Sequence, residues 1–251
     1  MLEARDVRKR YGGLVALDGL DFYIHPEEVV GLIGPNGAGK TTFFDCLTGM
    51  QSRTSGKVSF RGAPLPRRPH QIVASGLART FQNIRLFPNM TALENVLVGR
   101  HCRTREGIVT ALLRSARFRR EEQAATERAR ELLGFVGLRP AGAELARNLP
   151  YGDQRRLEVA RALATDPALL LLDEPTAGMN AAETRATLAL VHRIRDSGVA
   201  VVVIEHDMRF VFSLSDRVTV LVHGRKLADG PPSVVQRDPR VVEAYLGAPL
   251  P

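Results

Sequence analysis

The sequence has little cysteine, no long hydrophobic run and no apolar stretch at its start. Its two cysteines, Cys46 and Cys102, are too few for a disulfide framework, so we expect a reducing compartment. Neither lies in a cluster of cysteines and histidines, and both are expected to be inert packing residues. No segment approaches the ~18–20 consecutive apolar residues of a bilayer-spanning helix. Residues 1–6 carry no apolar h-region, so we expect no secretory signal.

The composition otherwise fits a globular protein. The 251 residues are enough for one or two domains. Hydrophobic residues make up 44% of the chain and charged residues 25%, which is usual for a soluble fold. The net charge of +8 permits a nucleic acid, a membrane surface or an anionic substrate as partner, but it does not choose among them.

The most specific pattern is a glycine-rich loop between an apolar run, residues 29–33, and a segment that can form a helix, residues 41–47. Its spacing is that of a phosphate-binding loop, Gly-x-x-x-x-Gly-Lys-Ser/Thr. The glycines let backbone N–H groups turn inward around an anion, and the helix directs its positive dipole end to the same place. A strand-to-helix turn without a ligand is the alternative, and the flanking strand and helix disfavour it. The predicted nucleotide-binding residues of the loop are Gly34, Pro35, Asn36, Gly37, Ala38, Gly39, Lys40, Thr41 and Thr42.

Strand-like and helix-like segments alternate along the rest of the chain, which predicts a parallel α/β sheet. Polar residues at the carboxyl ends of its strands should gather at one edge, beside the phosphate loop. The residues placed there are Gln82, Asp173, Glu174 and His206. Residues 1–30 read instead as an antiparallel strand pair, and a Thr-x-x-Glu capping box at residues 91–94 predicts a helix from Ala92.

These residue types suit hydrolysis of a nucleoside triphosphate. Asp173 would hold Mg²⁺ through water, and Glu174 would orient or deprotonate the attacking water. His206 would reach the γ-phosphate side, and Gln82 could contact the metal or the water. The predicted catalytic residues are Glu174, His206, Gln82 and Lys40, and the predicted Mg²⁺ ligands are Thr41, Gln82 and Asp173.

Two features allow two interpretations each. Tyr11, in a basic and glycine-flanked turn, is either a half-buried hairpin tyrosine or a ring on which an adenine stacks. The basic stretch at residues 100–120 is either a solvated helical face or a contact for anionic lipid headgroups or an acidic partner loop. With only Phe118 interleaved, it does not favour nucleic acid. Its arginines are Arg100, Arg103, Arg105, Arg114, Arg117, Arg119 and Arg120.

Together these motifs resemble those of an ABC-type ATPase. Residues 34–42, 81–82, 169–175 and 205–207 are similar to its Walker A, Q-loop, Walker B and H-loop. The resemblance implies an ABC nucleotide-binding domain over residues 1–251: a P-loop core with a mostly parallel sheet and an N-terminal antiparallel β subdomain at about 1–84 and 166–251, and an inserted α-helical subdomain at about 85–165. The family's signature falls on Leu149, Pro150, Tyr151, Gly152, Asp153 and Gln154.

Residues 14–18, 80–88, 173–180 and 244–247 further resemble ATP-binding subunits of branched-chain amino-acid uptake transporters. That resemblance implies ATP and Mg²⁺ as cofactors and a head-to-tail pair with a second ATP-binding subunit, either identical or different. It implies docking on transmembrane permease subunits at the cytoplasmic face of the inner membrane, and import of a substrate brought by a periplasmic binding protein. The resemblance also favours the interpretation in which the Tyr11 ring stacks on the adenine.

Three positions depart from the general family pattern. Pro150 replaces the signature serine, Tyr151 replaces its first glycine, and Asn180 stands where aspartate is frequent. The Walker motifs of this chain are intact, whereas the signature segment, which would contact the nucleotide of a partner subunit, is altered. A heterodimer with two unequal ATP sites is therefore one hypothesis.

Three competing functions remain open on the sequence. Another ABC transporter, for instance for urea or lipopolysaccharide, would carry the same motifs. A soluble ABC protein acting on nucleic acid is compatible with the charge, but such proteins usually have two cassettes or long insertions, so no nucleic acid is expected. A small-molecule P-loop kinase would have no need for the signature-like segment or for His206.

Overall fold

A computed structural model of the chain describes residues 1–103, 116–138 and 142–246. It divides into two compact units, Met1–Gln82 with Ala168–Pro251, and Asn83–Pro167. In chain order the strands are β1 (Leu2–Tyr11), β2 (Leu14–Ile24), β3 (Val29–Ile33), β4 (Ser55–Phe60), β5 (Ala63–Pro64), β6 (Leu77–Arg79), β7 (Leu169–Asp173), β8 (Ala200–Ile204), β9 (Arg217–Val222) and β10 (Arg225–Gly230). The α-helices are α1 (Lys40–Leu47), α2 (Pro69–Ser75), α3 (Ala92–Arg100), α4 (Ala116–Phe135), α5 (Tyr151–Leu163), α6 (Ala181–Asp196), α7 (Met208–Leu214), α8 (Pro232–Val235) and α9 (Pro239–Leu246).

The first unit contains two sheets. The larger has the strand order β10-β9-β3-β8-β7-β6, and every pairing in it is parallel except β10 with β9. All residues of β3, β7 and β8 are buried, as expected for strands covered on both faces. Because β3, β7 and β8 are parallel neighbours, their carboxyl ends lie at the same edge of the sheet.

The smaller sheet is antiparallel, with the order β2-β1-β4-β5. Leu2, Ala4 and Val7 of β1 are buried, and a register shift interrupts the alternation between Ala4 and Val7. They join one core cluster with Phe43 and Phe44 of α1. The packing of this sheet against α1 holds the start of that helix in a fixed place.

The second unit is helical. Helices α3, α4 and α5 pack against one another, and a Cβ atom added to Gly99 of α3 would lie 2.2 Å from the Arg161 carbonyl of α5. The buried Asn95 side chain accepts a hydrogen bond from Phe87 N at 2.9 Å and donates to Phe87 O at 3.1 Å and Thr91 O at 3.0 Å. These bonds fix the chain that enters α3.

The predicted fold class is confirmed, and one local expectation, that Cys102 is a packing residue, was wrong. The chain between β5 and β6 contains α2, which the sequence did not indicate and which begins at Pro69 because proline suits the first helical position. The capping box before α3 is present with both reciprocal hydrogen bonds. Cys46 is buried as expected, but Cys102 is exposed.

Part of the arginine-rich stretch, residues 104–115, lies outside the described residues, and so do residues 139–141 and 247–251. Arg100, at the end of α3, forms an ion pair with Asp166. Within the described residues, no helix combines the length and the apolar character that crossing a membrane requires.

Candidate functional site

The glycine-rich loop connects β3 to α1 and is held by close backbone contacts. Gly39 has φ of 104°, and a Cβ atom there would lie 2.5 Å from the Ala16 carbonyl oxygen. At Gly34 a Cβ atom would lie 2.0 Å from the Leu221 carbonyl oxygen. Any larger residue at these two positions would displace backbone, so the loop has one shape that only glycine permits.

Lys40 is the first residue of α1, and its side chain lies beneath the loop. The side chain is buried, and Nζ donates to Gly34 O at 2.6 Å and to Pro35 O at 3.0 Å. Burial lowers the pKa of Lys40, while the nearby carboxylates of Glu174 and Asp173 raise it. The ammonium group therefore lies between the phosphate-binding loop and the acidic end of β7.

Asp173 ends β7 and is 2% exposed. Its Oδ2 accepts a hydrogen bond from Arg79 Nη2 at 2.8 Å, and Arg79 Nη1 donates to Asp45 Oδ1 of α1 at 2.7 Å. Burial raises the pKa of Asp173, and the bond to Arg79 opposes that rise. Sequence reasoning missed Arg79, although a charged residue at the end of a buried strand is itself a signal of a partner.

Three of the predicted residues form a hydrogen-bonded chain. Gln82 Nε2 donates to Glu174 Oε2 at 3.0 Å, and His206 Nε2 lies 3.0 Å from Glu174 Oε1. Glu174 also has a positive φ of 49°, which is uncommon for a residue other than glycine and is found at functional sites. The carboxylate is therefore contacted on both oxygens by side chains that follow two other strands.

Glu205 stabilises the segments that carry this hydrogen-bonded chain of side chains. It was not among the predicted site residues. Its side chain is buried and accepts hydrogen bonds from Thr176 N at 2.8 Å, from the Thr176 hydroxyl and from His206 N at 2.9 Å. One carboxylate thus ties the segment after Glu174 to the segment that carries His206.

Tyr11 ends β1 beside α1. Burial is the main cause of the raised pKa of Tyr11, and the nearby Thr42 side chain opposes that rise. Lys9 Nζ lies 4.5 Å from the centre of the ring, while 42% of Tyr11 is exposed. The ring is thus next to the phosphate-binding helix and has exposed surface.

The donors in the first unit fit a magnesium–nucleotide complex. Among the described residues, no group of three or more His, Cys, Asp or Glu side chains is arranged to hold a metal ion alone. Mg²⁺ is commonly held by one or two protein oxygens together with the phosphates of a nucleotide. Asp173 at the strand end and Thr41 in the first turn of α1 match that type of site.

In the second unit, the signature-like segment begins α5. Pro150 is the N-cap residue, Gln154 Nε2 donates to Leu149 O at 2.8 Å, and Asp153 pairs with Arg156. The Tyr151 hydroxyl accepts from Arg155 Nε at 3.2 Å and from Nη2 at 3.0 Å. The tyrosine that replaces a signature glycine is therefore anchored to its own helix.

Asn180 has a local role that the sequence did not indicate. It is the N-cap of α6, and its Oδ1 accepts from Ala182 N at 2.9 Å and from Glu183 N at 3.0 Å. Glu183 Oε2 in turn accepts from Asn180 N at 2.9 Å, which completes a capping box.

Two sequence families match the chain. The family described as ABC transporter matches residues 17–177, which is more than half of the chain. The chain belongs to the ABC transporter family. A second family, described as branched-chain amino acid ATP-binding cassette transporter, matches residues 225–250 at the carboxyl end.

Relatives in this family are similar over nearly the whole length. The high-affinity branched-chain amino acid transport ATP-binding protein LivG of Escherichia coli (strain K12) is 43% identical over 249 residues, with 98% of each chain covered. BraF of Pseudomonas aeruginosa, which has the same description, is 44% identical over 249 residues with 98% of each chain covered.

Solved structures of ABC cassettes have the same fold. The ADP conformation of MJ1267, an ATP-binding cassette of an ABC transporter, gives a TM-score of 0.86 at 30% identity and covers 98% of both chains. The dimeric structure of MJ0796, a bacterial ABC transporter cassette, gives a TM-score of 0.77 at 25% identity and covers 92% of this chain and 99% of that one.

Proposed function

We propose that this chain is the ATP-hydrolysing subunit of an ABC importer that takes up branched-chain or related hydrophobic amino acids through separate membrane subunits. The hydrogen-bonded chain of Gln82, Glu174 and His206 beside Lys40 carries the hydrolytic part of the proposal. The similarity to LivG and BraF over 98% of the chain supports the substrate class.

For nucleotide binding, the loop at residues 34–39 would surround the phosphates with backbone N–H groups, and α1 would direct its positive end toward them. Lys40 would exchange its bonds to loop carbonyls for bonds to the outer phosphates. Tyr11 would offer the exposed part of its ring to the adenine. Thr41 and Asp173 would hold Mg²⁺, which neutralises phosphate charge when bound, and Gln82 would contribute through its amide oxygen.

For hydrolysis, Glu174 would accept the proton of the attacking water. Its two oxygens already accept bonds from Gln82 and His206, so these side chains set the orientation of the carboxylate. The His206 side chain is half exposed, and its ring would turn from Glu174 toward the γ-phosphate side when nucleotide binds. Glu205 would keep His206 and the segment after Glu174 together during the reaction.

For assembly, the segment at residues 149–154 would face the nucleotide of a second ATP-binding subunit. The Tyr151 and Gly152 N–H groups at the start of α5 would supply the contact that the missing serine cannot. The pair would bind permease subunits at the cytoplasmic face of the membrane and act only indirectly on the substrate-binding protein. The division into a core at about 1–84 and 166–251 and a helical subdomain at about 85–165 is part of this proposal.

Gentle purification from membranes tests the function. We expect the chain to copurify with permease subunits and a second ATP-binding subunit, and deletion of its gene to abolish uptake of labelled leucine, isoleucine or valine. Restoring the gene should rescue uptake, whereas a Lys40→Ala gene should not. Normal amino-acid uptake in the deletion strain would contradict the proposal. Loss of urea uptake would then indicate a urea transporter, and loss of lipopolysaccharide export would indicate a lipopolysaccharide transporter.

Asymmetry of the two sites stays a separate hypothesis, motivated by Pro150 and Tyr151. Glu174→Gln in this chain and the matching change in a partner would be compared for ATP hydrolysed per site. Equal losses would argue that the two sites are equivalent.

A further inference from the structure

The strongest unassigned feature is a cluster next to the proposed metal site, in which one buried arginine side chain contacts the buried Asp173 and the partly exposed Asp45. The Arg79 side chain is 5% exposed and contacts Asp45 at 2.7 Å and Asp173 at 2.8 Å. Its guanidinium carbon lies 5.4 Å from the ring centre of Phe44 and 5.1 Å from that of Phe81. The guanidinium thus joins β6, α1 and β7 at one point.

Stability alone does not explain this arrangement. Burial of an ion pair costs about as much desolvation energy as its attraction returns, so such pairs add little to stability. Within the described residues, the buried Arg79 Nε–H has no hydrogen-bond acceptor, which adds a further cost. We therefore look for the role of this ion pair in the position that it gives to its two side chains.

The geometry determines which oxygen of Asp173 is used. Arg79 Nη2 donates to Oδ2, so in the proposed site Oδ1 would be the oxygen that contacts a cation or one of its water ligands. The backbone next to Arg79 also binds β7, because Thr80 N donates to Leu171 O at 2.9 Å. A forked guanidinium can bind Asp45 and Asp173 with different nitrogens, whereas a lysine has one point charge.

We propose that Arg79 is a positioning residue for the metal site: it occupies Oδ2 of Asp173, ties this carboxylate to α1, and so sets the affinity of the site for Mg²⁺ in the presence of nucleotide. The inference rests on the proposed function, in which Asp173 binds the ion. Partners that orient a metal-binding carboxylate typically change metal affinity by about 10–100-fold when they are removed.

The test uses the full-length chain and a fluorescent ADP analogue, read by its change in emission. Each variant is titrated with nucleotide in EDTA, and then with Mg²⁺ at fixed nucleotide. For Arg79→Met we expect nucleotide affinity in EDTA to stay within about twofold of the wild type, and the half-saturating Mg²⁺ concentration to rise about tenfold or more. Arg79→Lys should give a smaller rise and provides the measurement if the methionine variant does not fold.

Two controls separate positioning from stability. Arg217 is a comparable arginine whose side chain is 11% exposed and contacts Glu28 and Asp229 in the same unit. Arg217→Met should lower the melting temperature as Arg79→Met does, with the Mg²⁺ half-saturation unchanged within about twofold. Asp45→Asn retains an acceptor oxygen for Arg79, so both the tie to α1 and the bond between Arg79 and Asp173 are kept, and the half-saturation should move by less than about threefold.

An unchanged or lower Mg²⁺ half-saturation in both Arg79 variants would overturn the proposal, as would an equal rise in Arg217→Met or Asp45→Asn. A wild-type chain that binds nucleotide without any Mg²⁺ dependence would instead count against the proposed function and against Asp173 as a metal ligand.

Discussion

Replacement of Glu174 by glutamine removes the proposed base while it preserves the surroundings of this side chain. Glutamine has the same length and tolerates the positive φ at position 174 as well as glutamate does. Its carbonyl oxygen can accept from Gln82, and its amide can donate to His206 Nε2 when the imidazole carries its proton on Nδ1. Both side-chain bonds can therefore be kept.

The expected magnitudes follow from these contacts. The two bonds are exposed and are worth about 0.5–1.5 kcal/mol each, and both can be retained, so we expect the free energy of unfolding to change by less than about 1 kcal/mol. General base catalysis typically contributes about 10²–10⁴-fold to a rate, which is about 2.7–5.5 kcal/mol of the barrier. ATP affinity should stay unchanged, while turnover falls by that factor and the paired state lasts longer.

Phosphate release at saturating ATP, affinity for a fluorescent ATP analogue and a thermal melt would be measured on the same preparations. Glu183→Gln is the matched control, because glutamine serves equally well in the capping box of α6 and position 183 lies outside the hydrogen-bonded chain. Turnover of Glu174→Gln within about threefold of the wild type, with normal ATP affinity, would remove Glu174 from the role of base.

Three further predictions concern single positions. Lys40→Ala removes a buried ammonium beneath the phosphate loop. Because hydrogen bonds to charged groups contribute about 1.5–3 kcal/mol, ATP affinity measured by fluorescence should fall at least about tenfold. Retained affinity would contradict the role of the loop lysine. Thr91→Ala removes the helix cap of α3 and should cost about 1 kcal/mol, a fall of about 2–4 °C in Tm by circular dichroism, with Thr91→Ser close to the wild type. Burial raises the pKa of the Cys46 thiol to about 11, so a maleimide at neutral pH should label Cys102 quickly and Cys46 slowly; rapid modification of two thiols per folded chain would show that Cys46 is accessible.

The sequence identified much of the site because its chemistry depends on residue type and spacing. Gly34, Gly39 and Lys40 follow a fixed pattern, and the strand ends that carry Glu174 and His206 could be located from buried apolar runs. Alternation of strands and helices was enough to predict that these ends meet at one edge of a parallel sheet. The structure then provided the distances.

The supporting residues could not be predicted, since their roles depend on partners that are distant in sequence. Arg79 and Asp173 are separated by 94 positions, and Thr176 and Glu205 by 29. The local sequence around Arg79 or Glu205 does not indicate which oxygen or N–H group the side chain contacts. Short elements such as α2 and α7 were missed for a related reason, because about two helical turns leave too few residues for a periodic pattern.

The capping role of Asn180 bears on how sequence change at this site should be judged. A comparison by motif would score the exchange of aspartate for asparagine as a defect, since a charge is lost. The start of α6 requires only an acceptor oxygen, and asparagine, aspartate and serine are nearly equivalent there. The position can drift among these residues without disturbing the helix, so such an exchange alone does not indicate that a cassette has become inactive. A substitution at Gly39, where a side chain would strike the Ala16 carbonyl, has no such neutral alternatives and is the better marker of a lost nucleotide site.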